Sequence, residues 1–338
     1  MSDGPAILVT GGAGYIGSHC CRALVAAGHH PVVFDNFSTG HRNFVTGSLV
    51  VGDLLDKAAL GRAFAQHDIV AVMHFAASSL VGESVIDPQK YYRNNVVGTL
   101  SLLEAMREAA CHRLVFSSTG AVYGNAGSKG LPENYPCAPI NPYGASKWMV
   151  ERILADYRSA YGLGSFCLRY FNACGADRSG GIGELRDNET HLIPRAMMAL
   201  QGHIGDFAVF GDDYDTPDGT AIRDYIHVTD LAAAHLEALK RLMQGHSGGT
   251  FNLGTGAGYS VREVLGAIAA ETGREVPHVV KPRRSGDPAY LVADPTAARE
   301  TLKFHPEHSD LRTIIRTAWA WHRQAHPPKT SEPLPPAA

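Results

Sequence analysis

A glycine-rich segment near the amino terminus constrains the fold more than any other feature of this chain. Gly11, Gly14 and Gly17 are spaced three residues apart, between an apolar run at 6–10 and an amphipathic stretch at 15–27. Glycines permit a tight turn that brings backbone amides close to a pyrophosphate, and the start of a helix adds unpaired N–H groups and a positive dipole end. The spacing therefore predicts a dinucleotide-binding turn between a strand and a helix.

Short apolar runs alternate with helix-length amphipathic stretches through the first half of the chain. This alternation predicts an α/β fold with a Rossmann-type doubly wound, mostly parallel sheet. The strands are expected at 6–10, 31–35, 69–75, 113–118 and 165–170, and the helices at 15–27, 57–66, 89–110 and 143–160. After residue 175 the pattern changes, and shorter elements predict a smaller α/β substrate lobe, with strands at 208–210, 250–253 and 277–280 and helices at 228–243, 260–272 and 311–322.

The change of pattern also predicts the domain organisation. We expect residues 1–175 to form the NAD-binding Rossmann domain, with a returning segment near 220–255. Residues 176–325 are expected to form most of the substrate-binding lobe. The proline-rich residues 326–338 are expected to be a disordered tail.

The charge and cysteine content exclude several classes of protein. The formal net charge of -3 gives no general attraction for nucleic acid or for an anionic membrane. The amino terminus lacks a basic segment followed by a long apolar run, so neither a signal peptide nor a membrane span is expected. The six cysteines have no C-x-x-C spacing, which is typical of reduced thiols in a cytoplasmic protein.

The acidic residue at the end of the second strand indicates which dinucleotide would bind. Asp35 follows the glycines by about 20 residues, where a carboxylate can accept hydrogen bonds from the adenosine ribose and would repel a 2′-phosphate. The sequence therefore favours NAD over NADP. Asp53, after a possible third strand, could either contact the adenine or cap a helix.

A tyrosine and a lysine on one predicted helix are the candidate catalytic residues. Tyr143 and Lys147 are four residues apart and so share one face of that helix. The Lys147 ammonium, together with the positive nicotinamide ring, is expected to lower the pKa of the Tyr143 phenol toward neutrality. The phenol would then take a proton from a substrate hydroxyl. Thr119, at the carboxyl end of a strand, would hydrogen-bond the same oxygen.

No metal site is expected. His41, His67 and His112 lack metal-ligand spacing, and His74 is interpreted as a buried, hydrogen-bonded core residue. The acidic loop at 184–189 is interpreted as solvated rather than as a cation site.

Taken together, these motifs resemble the extended short-chain dehydrogenase/reductase superfamily and, within it, the UDP-galactose 4-epimerase family. The resemblance covers about residues 7–321 and includes both halves of the chain. It is carried by Thr-Gly-Gly-Ala-Gly-Tyr-Ile-Gly-Ser-His at 10–19, His-Phe-Ala-Ala at 74–77, Val-Gly-Glu-Ser at 81–84, Tyr-Tyr-Arg-Asn-Asn-Val at 91–96, Leu-Arg-Tyr-Phe-Asn at 168–172, Asp-Gly-Thr-Ala-Ile-Arg-Asp-Tyr-Ile-His-Val at 218–228 and Pro-Arg-Arg-Ser-Gly-Asp at 282–287.

The resemblance implies a reaction of galactose metabolism that interconverts UDP-galactose and UDP-glucose. NAD would stay bound through the cycle. Tyr143 would remove the O4 proton while hydride passes from C4 to NAD, and the 4-keto sugar would turn over before hydride returns. The resemblance also implies a homodimer that pairs the helices at 89–110 and 143–160.

The resemblance assigns residues to both ligands. The cofactor-binding residues would be Gly11, Gly14, Tyr15, Ile16, Gly17, Asp35, Asn36, Asp53, Leu54, Phe75, Ala76, Ala77, Asn94, Tyr143, Lys147 and Tyr170. The UDP-hexose would contact Asn172, His191, Leu192, Phe210, Arg223, Tyr225, Arg284, Asp287 and Leu291. Guanidinium groups such as Arg223 and Arg284 suit phosphate oxygens.

Departures from the family pattern leave alternatives open. Ser79 stands where some members carry a lysine near the cofactor, and Leu291, beside Tyr290, occupies the position that gates N-acetylated sugars. A 4-epimerase of UDP-N-acetylhexosamines, UDP-pentoses or UDP-glucuronate therefore remains an alternative. A 4,6-dehydratase is disfavoured, because Gly120 and Ala121 replace its Asp-Glu pair. A non-catalytic dinucleotide sensor would not need Tyr143 or Lys147.

Overall fold

A computed structural model describes residues 4–127, 130–284 and 286–327 of the chain. Its strands are β1 Ala6–Thr10, β2 His30–Asp35, β3 Ser48–Val51, β4 Ile69–His74, β5 Arg113–Ser117, β6 Gly164–Tyr170, β7 Asn172–Cys174, β8 Ala208–Phe210, β9 Ile222–Arg223, β10 Tyr225–His227, β11 Gly248–Leu253, β12 Tyr259–Ser260, β13 Val279–Lys281 and β14 Tyr290–Leu291. Its α-helices are α1 Tyr15–Ala26, α2 Lys57–Gln66, α3 Val81–Ile86, α4 Pro88–Tyr91, α5 Gly98–Glu108, α6 Pro142–Tyr161, α7 Leu192–Leu200, α8 Val228–Met243, α9 Val261–Thr272, α10 Thr296–Leu302 and α11 Leu311–Ala325.

The central sheet has seven parallel strands in the order β11-β6-β5-β4-β1-β2-β3. Strand β1 lies between β2 and β4, and Val9 is opposite Val33 on one side and Met73 on the other. The strand order reverses at β1, so the carboxyl ends of β1 and β4 flank a crevice that is the usual ligand position in such sheets. The predicted doubly wound α/β fold is confirmed.

The sheet forms because its strands are apolar on both faces. In β1, Ile7, Leu8 and Val9 are fully buried. Ile7 and Val9 belong to one core cluster, which includes residues of α1 and α8, whereas Leu8 belongs to the cluster beneath α2, α5 and α6. Continuous apolar strands of this kind are typical of parallel sheets that are covered on both sides.

The carboxyl-terminal half forms three small sheets, β7 with β10, β9 with β12 and β14, and β8 with β13. Helices α7, α9 and α11 contribute to a separate hydrophobic core that includes Ile193, Ile268 and Ile314. Two elements of this half join the central sheet region: α8 packs against α1, and β11 pairs with β6 at the edge of the sheet. No helix in the described ranges combines the length and apolar character needed to cross a membrane.

One predicted helix and the predicted tail differ from the expectation. The stretch 89–110 contains α4, a π-helical turn at Tyr92–Val97 and α5 rather than one regular helix. Within that turn the Asn95 side chain bonds to the Ser78 carbonyl and the Ser146 hydroxyl, both 3.0 Å away. A wider turn that directs a side chain to tertiary partners is a common use of π-helical geometry. Of the predicted tail, residues 328–338 lie outside the described residues.

Candidate active site

The glycine turn after β1 has no room for side chains. Gly11 has a φ of +71°, and a Cβ there would lie 2.6 Å from the Ala76 nitrogen. A Cβ at Gly17 would lie 2.2 Å from the Gly11 carbonyl oxygen. Gly14 is the N-cap of α1 and provides no side-chain acceptor, so the first N–H groups of that helix can bind an anion. The turn therefore fits the pyrophosphate of a dinucleotide.

Asp35 is held beside this turn at the end of β2. Its Oδ2 accepts a hydrogen bond from the Ala13 amide at 3.0 Å, and its Oδ1 accepts one from the Phe37 amide at 2.8 Å. Burial raises the pKa of Asp35, although both amides oppose that effect. The carboxylate is thus fixed where the sequence predicts a ribose contact.

Asn36 and Asp53 lie together at the carboxyl ends of β2 and β3. The Asn36 Nδ2 donates to the Asp53 Oδ2 at 2.8 Å. Asp53 does not cap α2, because the residue at that N-cap is Asp56, whose carboxylate accepts from the Ala59 amide at 3.1 Å. Of the two interpretations of Asp53, the helix cap is therefore wrong.

The carboxyl ends of the neighbouring strands β1, β4, β5 and β6 carry the other candidate residues. The Phe75 amide, just after β4, donates to the Thr10 carbonyl at 2.9 Å. The Phe75 ring packs on His235 with centroids 4.9 Å apart, and the Tyr170 hydroxyl at the end of β6 hydrogen-bonds Ser117. Adjacent parallel strands thus bring these residues to one edge of the sheet.

Helix α6 places Lys147 at the same edge. The helix begins at Pro142, and its N-cap residue Asn141 accepts from the Gly144 amide at 2.8 Å. The Lys147 Nζ donates to the Ser117 carbonyl at 2.8 Å. Burial lowers the pKa of Lys147 to about 7, and the charge of Glu151 opposes this shift.

The Tyr143 phenol interacts with Thr119 and Arg186, and its pKa reflects these interactions and its desolvation. Burial raises its pKa, while a hydrogen bond with Thr119 and the charge of Arg186 oppose that rise. The predicted lowering of this pKa includes the positive nicotinamide ring and stays a prediction for the protein with its cofactor. In the protein alone, desolvation outweighs the charge of Arg186, and the Lys147 ammonium is bonded to the Ser117 carbonyl.

Four predicted substrate residues form two pairs in the carboxyl-terminal half. The Arg223 guanidinium forms an ion pair with Asp287, and the Arg284 guanidinium lies 4.0 Å from the centroid of the Phe210 ring. Leu291 is opposite Arg223 in the pairing of β14 with β9, so the two side chains lie on one face.

His191 belongs to a charged cluster in the loop before α7. Its Nδ1 lies 2.9 Å from Glu189 and 3.1 Å from Glu184, and the Arg186 Nε lies 3.0 Å from Glu184. Burial lowers the pKa of His191, but the two carboxylates outweigh it and raise this pKa to about 10. Both glutamates are buried, so the interpretation of 184–189 as a solvated loop is wrong for them. The cationic partners Arg186 and His191 account for their burial.

The remaining predicted residues lie in or near the core. Leu54 packs against Gly98, and Tyr225 lies in the separate core that α7, α9 and α11 form. Three further residues form hydrogen bonds: the Tyr15 hydroxyl donates to the Gly175 carbonyl at 2.6 Å, the Asn94 Nδ2 to the Asn95 Oδ1 at 3.0 Å, and the Asn172 Nδ2 to the Asp224 carbonyl at 2.9 Å. The other three, Ile16, Ala77 and Leu192, are partly buried.

Comparison with known proteins identifies the family. The model of the NAD dependent epimerase/dehydratase family matches residues 7–254. A UDP-glucose 4-epimerase of Rhizobium leguminosarum bv. trifolii is 51% identical over 324 residues, which cover 96% of this chain and 99% of that protein. This chain belongs to the NAD dependent epimerase/dehydratase family.

Solved structures agree with this family assignment. The UDP-glucose 4-epimerase of Brucella ovis in complex with NAD is 54% identical, has a TM-score of 0.92 and matches 94% of this chain and 98% of its own. The UDP-glucose 4-epimerase of Bifidobacterium longum in complex with NAD⁺ and UDP is 36% identical with a TM-score of 0.89, over 95% of this chain and 99% of its own.

Several buried or partly buried polar residues of this family member escaped sequence reasoning. Glu151 and Arg169 form a buried ion pair behind Lys147, and Arg186 donates toward the Ser79 hydroxyl at 3.5 Å. Glu151 follows Lys147 by one helical turn, a spacing that could have identified it. By contrast, His74 is confirmed as a core residue, since its two ring nitrogens bond the Thr10 hydroxyl at 2.7 Å and the Thr99 hydroxyl at 2.9 Å.

Proposed function

We infer that this chain is an NAD-dependent UDP-glucose 4-epimerase that interconverts UDP-galactose and UDP-glucose. The observation that carries this inference is the juxtaposition of Tyr143 and Lys147, on α6, with the carboxyl ends of the strands that follow the glycine turn. The near full-length similarity to UDP-glucose 4-epimerases, including one solved with NAD, supports the same conclusion.

In this proposal, one set of residues binds the cofactor and another transfers the proton. Bound NAD supplies a hydride acceptor and donor at the sugar C4. The amides of the glycine turn hold the pyrophosphate, and Asp35 accepts hydrogen bonds from the ribose. Tyr143 exchanges the O4 proton, and Thr119 orients the phenol through their hydrogen bond.

The raised pKa of Tyr143 means that its proton must be removed against a desolvation penalty. A cation nearby reduces this penalty, and buried Lys147 and half-buried Arg186 are the candidates. We propose that Lys147 supplies most of the stabilisation once substrate and cofactor exclude water, because opposite charges interact more strongly in a dry site.

We propose that residues 176–325 form most of the UDP-sugar lobe and that residues 1–175, with a returning segment near 220–255, bind NAD. Arg223 and Arg284 carry the charges suited to the diphosphate. Leu291 shares a sheet face with Arg223, so it is placed to limit the size of the sugar pocket. The N-acetylhexosamine, pentose and glucuronate alternatives are less favoured, because the curated relatives at 46–51% identity are named UDP-glucose 4-epimerases.

We also propose a homodimer that acts in the cytoplasm. The helical region 89–110 and α6 expose apolar side chains, among them Val97, Leu100, Trp148 and Met149. Exposed apolar residues on two neighbouring helices are typical of a helix-packing interface between subunits. All six cysteines are free thiols, which supports a reducing compartment.

The decisive experiment uses purified protein without added cofactor. It is incubated separately with UDP-galactose, UDP-glucose, UDP-N-acetylglucosamine and UDP-xylose, and the epimers are resolved by chromatography. We expect interconversion of UDP-galactose and UDP-glucose. Failure to convert any of the four sugars, even with NAD supplied, would refute the proposal.

The variant Tyr143→Phe separates an epimerase from a dinucleotide sensor. Loss of a general acid–base group lowers turnover by about 10²–10⁴-fold. We expect that loss while NAD is still bound, as measured by absorbance after denaturation. Undiminished turnover in this variant would contradict the role assigned to the phenol.

A further inference from the structure

A buried carboxylate lies one helical turn beyond Lys147 on α6. Glu151 is 7% exposed and receives the guanidinium of Arg169, with Nη2 2.5 Å from Oε2 and Nε 3.0 Å from Oε1. It also accepts a hydrogen bond from the Ser118 hydroxyl at the end of β5. The carboxylate is therefore fixed between α6, β5 and β6.

The same end of β5 holds the lysine. The Lys147 Nζ bonds the carbonyl of Ser117, the residue before Ser118, and lies 4.8 Å from the centroid of the Phe116 ring. Lys147 is 3% exposed. A buried ammonium without an opposing charge tends to lose its proton. Glu151 provides such a charge, four residues along the same helix face.

We propose that Glu151 is a positioning residue that keeps Lys147 in its charged form, and that Arg169 limits the strength of this effect. The proposal deepens the proposed function and rests on it, because the charge of Lys147 matters only if Tyr143 must give up its proton.

The other titratable groups around Lys147 do not replace Glu151. His74 from β4 is neutral at physiological pH, since burial, reinforced by the charge of Lys147, lowers its pKa to about 3. Tyr143 on α6 and Tyr170 on β6 are phenols whose pKa burial raises, so they too are neutral. Of the facing groups in the described residues, Glu151 is the one that carries a negative charge.

Two single substitutions should move the pKa of Lys147 in opposite directions. Glu151→Gln removes the opposing charge, so the pKa of Lys147 should fall by about one pH unit. Arg169→Gln removes the cation that offsets Glu151, so that pKa should rise. If Glu151 and Arg169 had only a structural role, both variants would be destabilised alike, and the pKa of Lys147 would not shift in opposite directions.

The direct measurement is a pH titration of the lysine ¹³Cε resonances in the protein with its retained cofactor. The Lys147 resonance is assigned by its absence in Lys147→Met. The pH profile of UDP-galactose turnover is recorded in parallel, and its basic limb should move to lower pH in Glu151→Gln and to higher pH in Arg169→Gln. Since the titration does not require turnover, it tests the electrostatic step even if the proposed reaction is wrong.

Each single variant leaves a buried charge unpaired and can therefore unfold. The double variant Glu151→Gln/Arg169→Gln removes both charges and serves as the folding control, checked by its thermal midpoint and NAD content. Its Lys147 pKa should still lie below that of the unchanged protein, because Glu151 is the charge that raises this pKa and Arg169 only limits the effect. A Lys147 pKa that is unchanged in the folded double variant, or that shifts the same way in both singles, overturns the proposal.

Discussion

At the scale of single residues, the glycine turn requires that positions 11 and 17 carry no Cβ atom. The Cβ of an alanine at position 17 would overlap the Gly11 carbonyl, whereas Gly61, exposed in the middle of α2, has nothing within 4 Å of the place that an alanine methyl group would occupy. The two glycines therefore lie in helices of the same domain but have opposite requirements.

Substitution of these glycines gives a matched test. We expect Gly17→Ala to weaken NAD binding by about 10- to 100-fold, because overpacking of this kind costs roughly 1–3 kcal/mol. Gly61→Ala should leave NAD binding unchanged and raise the free energy of unfolding by about 0.5–1 kcal/mol. NAD titration and urea unfolding measure the two effects. Unchanged NAD affinity in Gly17→Ala would show that the turn has more room than its geometry indicates.

Site residues were predictable where chemistry follows local spacing. The glycine spacing, Asp35 after β2 and the Tyr143–Lys147 separation are short-range patterns with a physical meaning of their own. Arg169 and Arg186 were not predictable in this way, because their partners come from distant segments that meet only in the folded chain. The raised pKa of Tyr143 in the protein alone was not predictable for a related reason: the desolvation of its phenol is a tertiary property that the spacing does not contain.

At the scale of elements, helices with clear start and stop signals were predictable, and irregular helices were not. Helix α6 has an N-cap asparagine, a proline in its first turn and Gly162 in the left-handed conformation at its end. The π-helical turn before α5 has no comparable signal, since its cause is the tertiary bonding of Asn95. The two-residue strands β9, β12 and β14 are too short to show a periodic pattern.

The cap of α11 provides a prediction for an element. Asp310 accepts a hydrogen bond from the Thr313 amide at 2.9 Å. Burial alone would raise the pKa of Asp310, but the hydrogen bonds from Thr313 outweigh it and leave that pKa below its usual value. We expect Asp310→Ala to lower the free energy of unfolding by about 1 kcal/mol at neutral pH.

The pH dependence of this effect follows from the lowered pKa. A group of this kind stabilises the fold above its unfolded-state pKa, and the contribution is lost as the pH falls through its lower folded-state pKa. The difference between Asp310 and Asp310→Ala should therefore shrink below about pH 4. Asp310→Asn is the control, because it keeps a cap without a titratable charge. A difference that stays constant down to about pH 2.5 in chemical unfolding would contradict the assigned charge effect.

At the scale of the whole molecule, the proposed dimer is testable with charged substitutions. Leu100→Glu combined with Met149→Glu places carboxylates on the exposed faces of α5 and α6, and burial of unpaired charge should weaken dimerisation by at least about 100-fold. Val280→Glu, on exposed β13, is the control and should leave the dimer intact. Light scattering after size-exclusion chromatography reports the mass. A monomeric parent protein, or a dimer that survives both substitutions, would place the subunit contact elsewhere or remove it.

The pairing of β11 with β6 has a consequence for biosynthesis. Gly248 is aligned with Ser165 at the start of that pairing, so the outermost strand of the central sheet is supplied by residues about 80 positions later in the chain. During translation, the edge of β6 stays open until this later segment has left the ribosome, and an unpaired strand edge is prone to association with other chains. The edge of β6 is therefore covered only after most of the molecule has been synthesised.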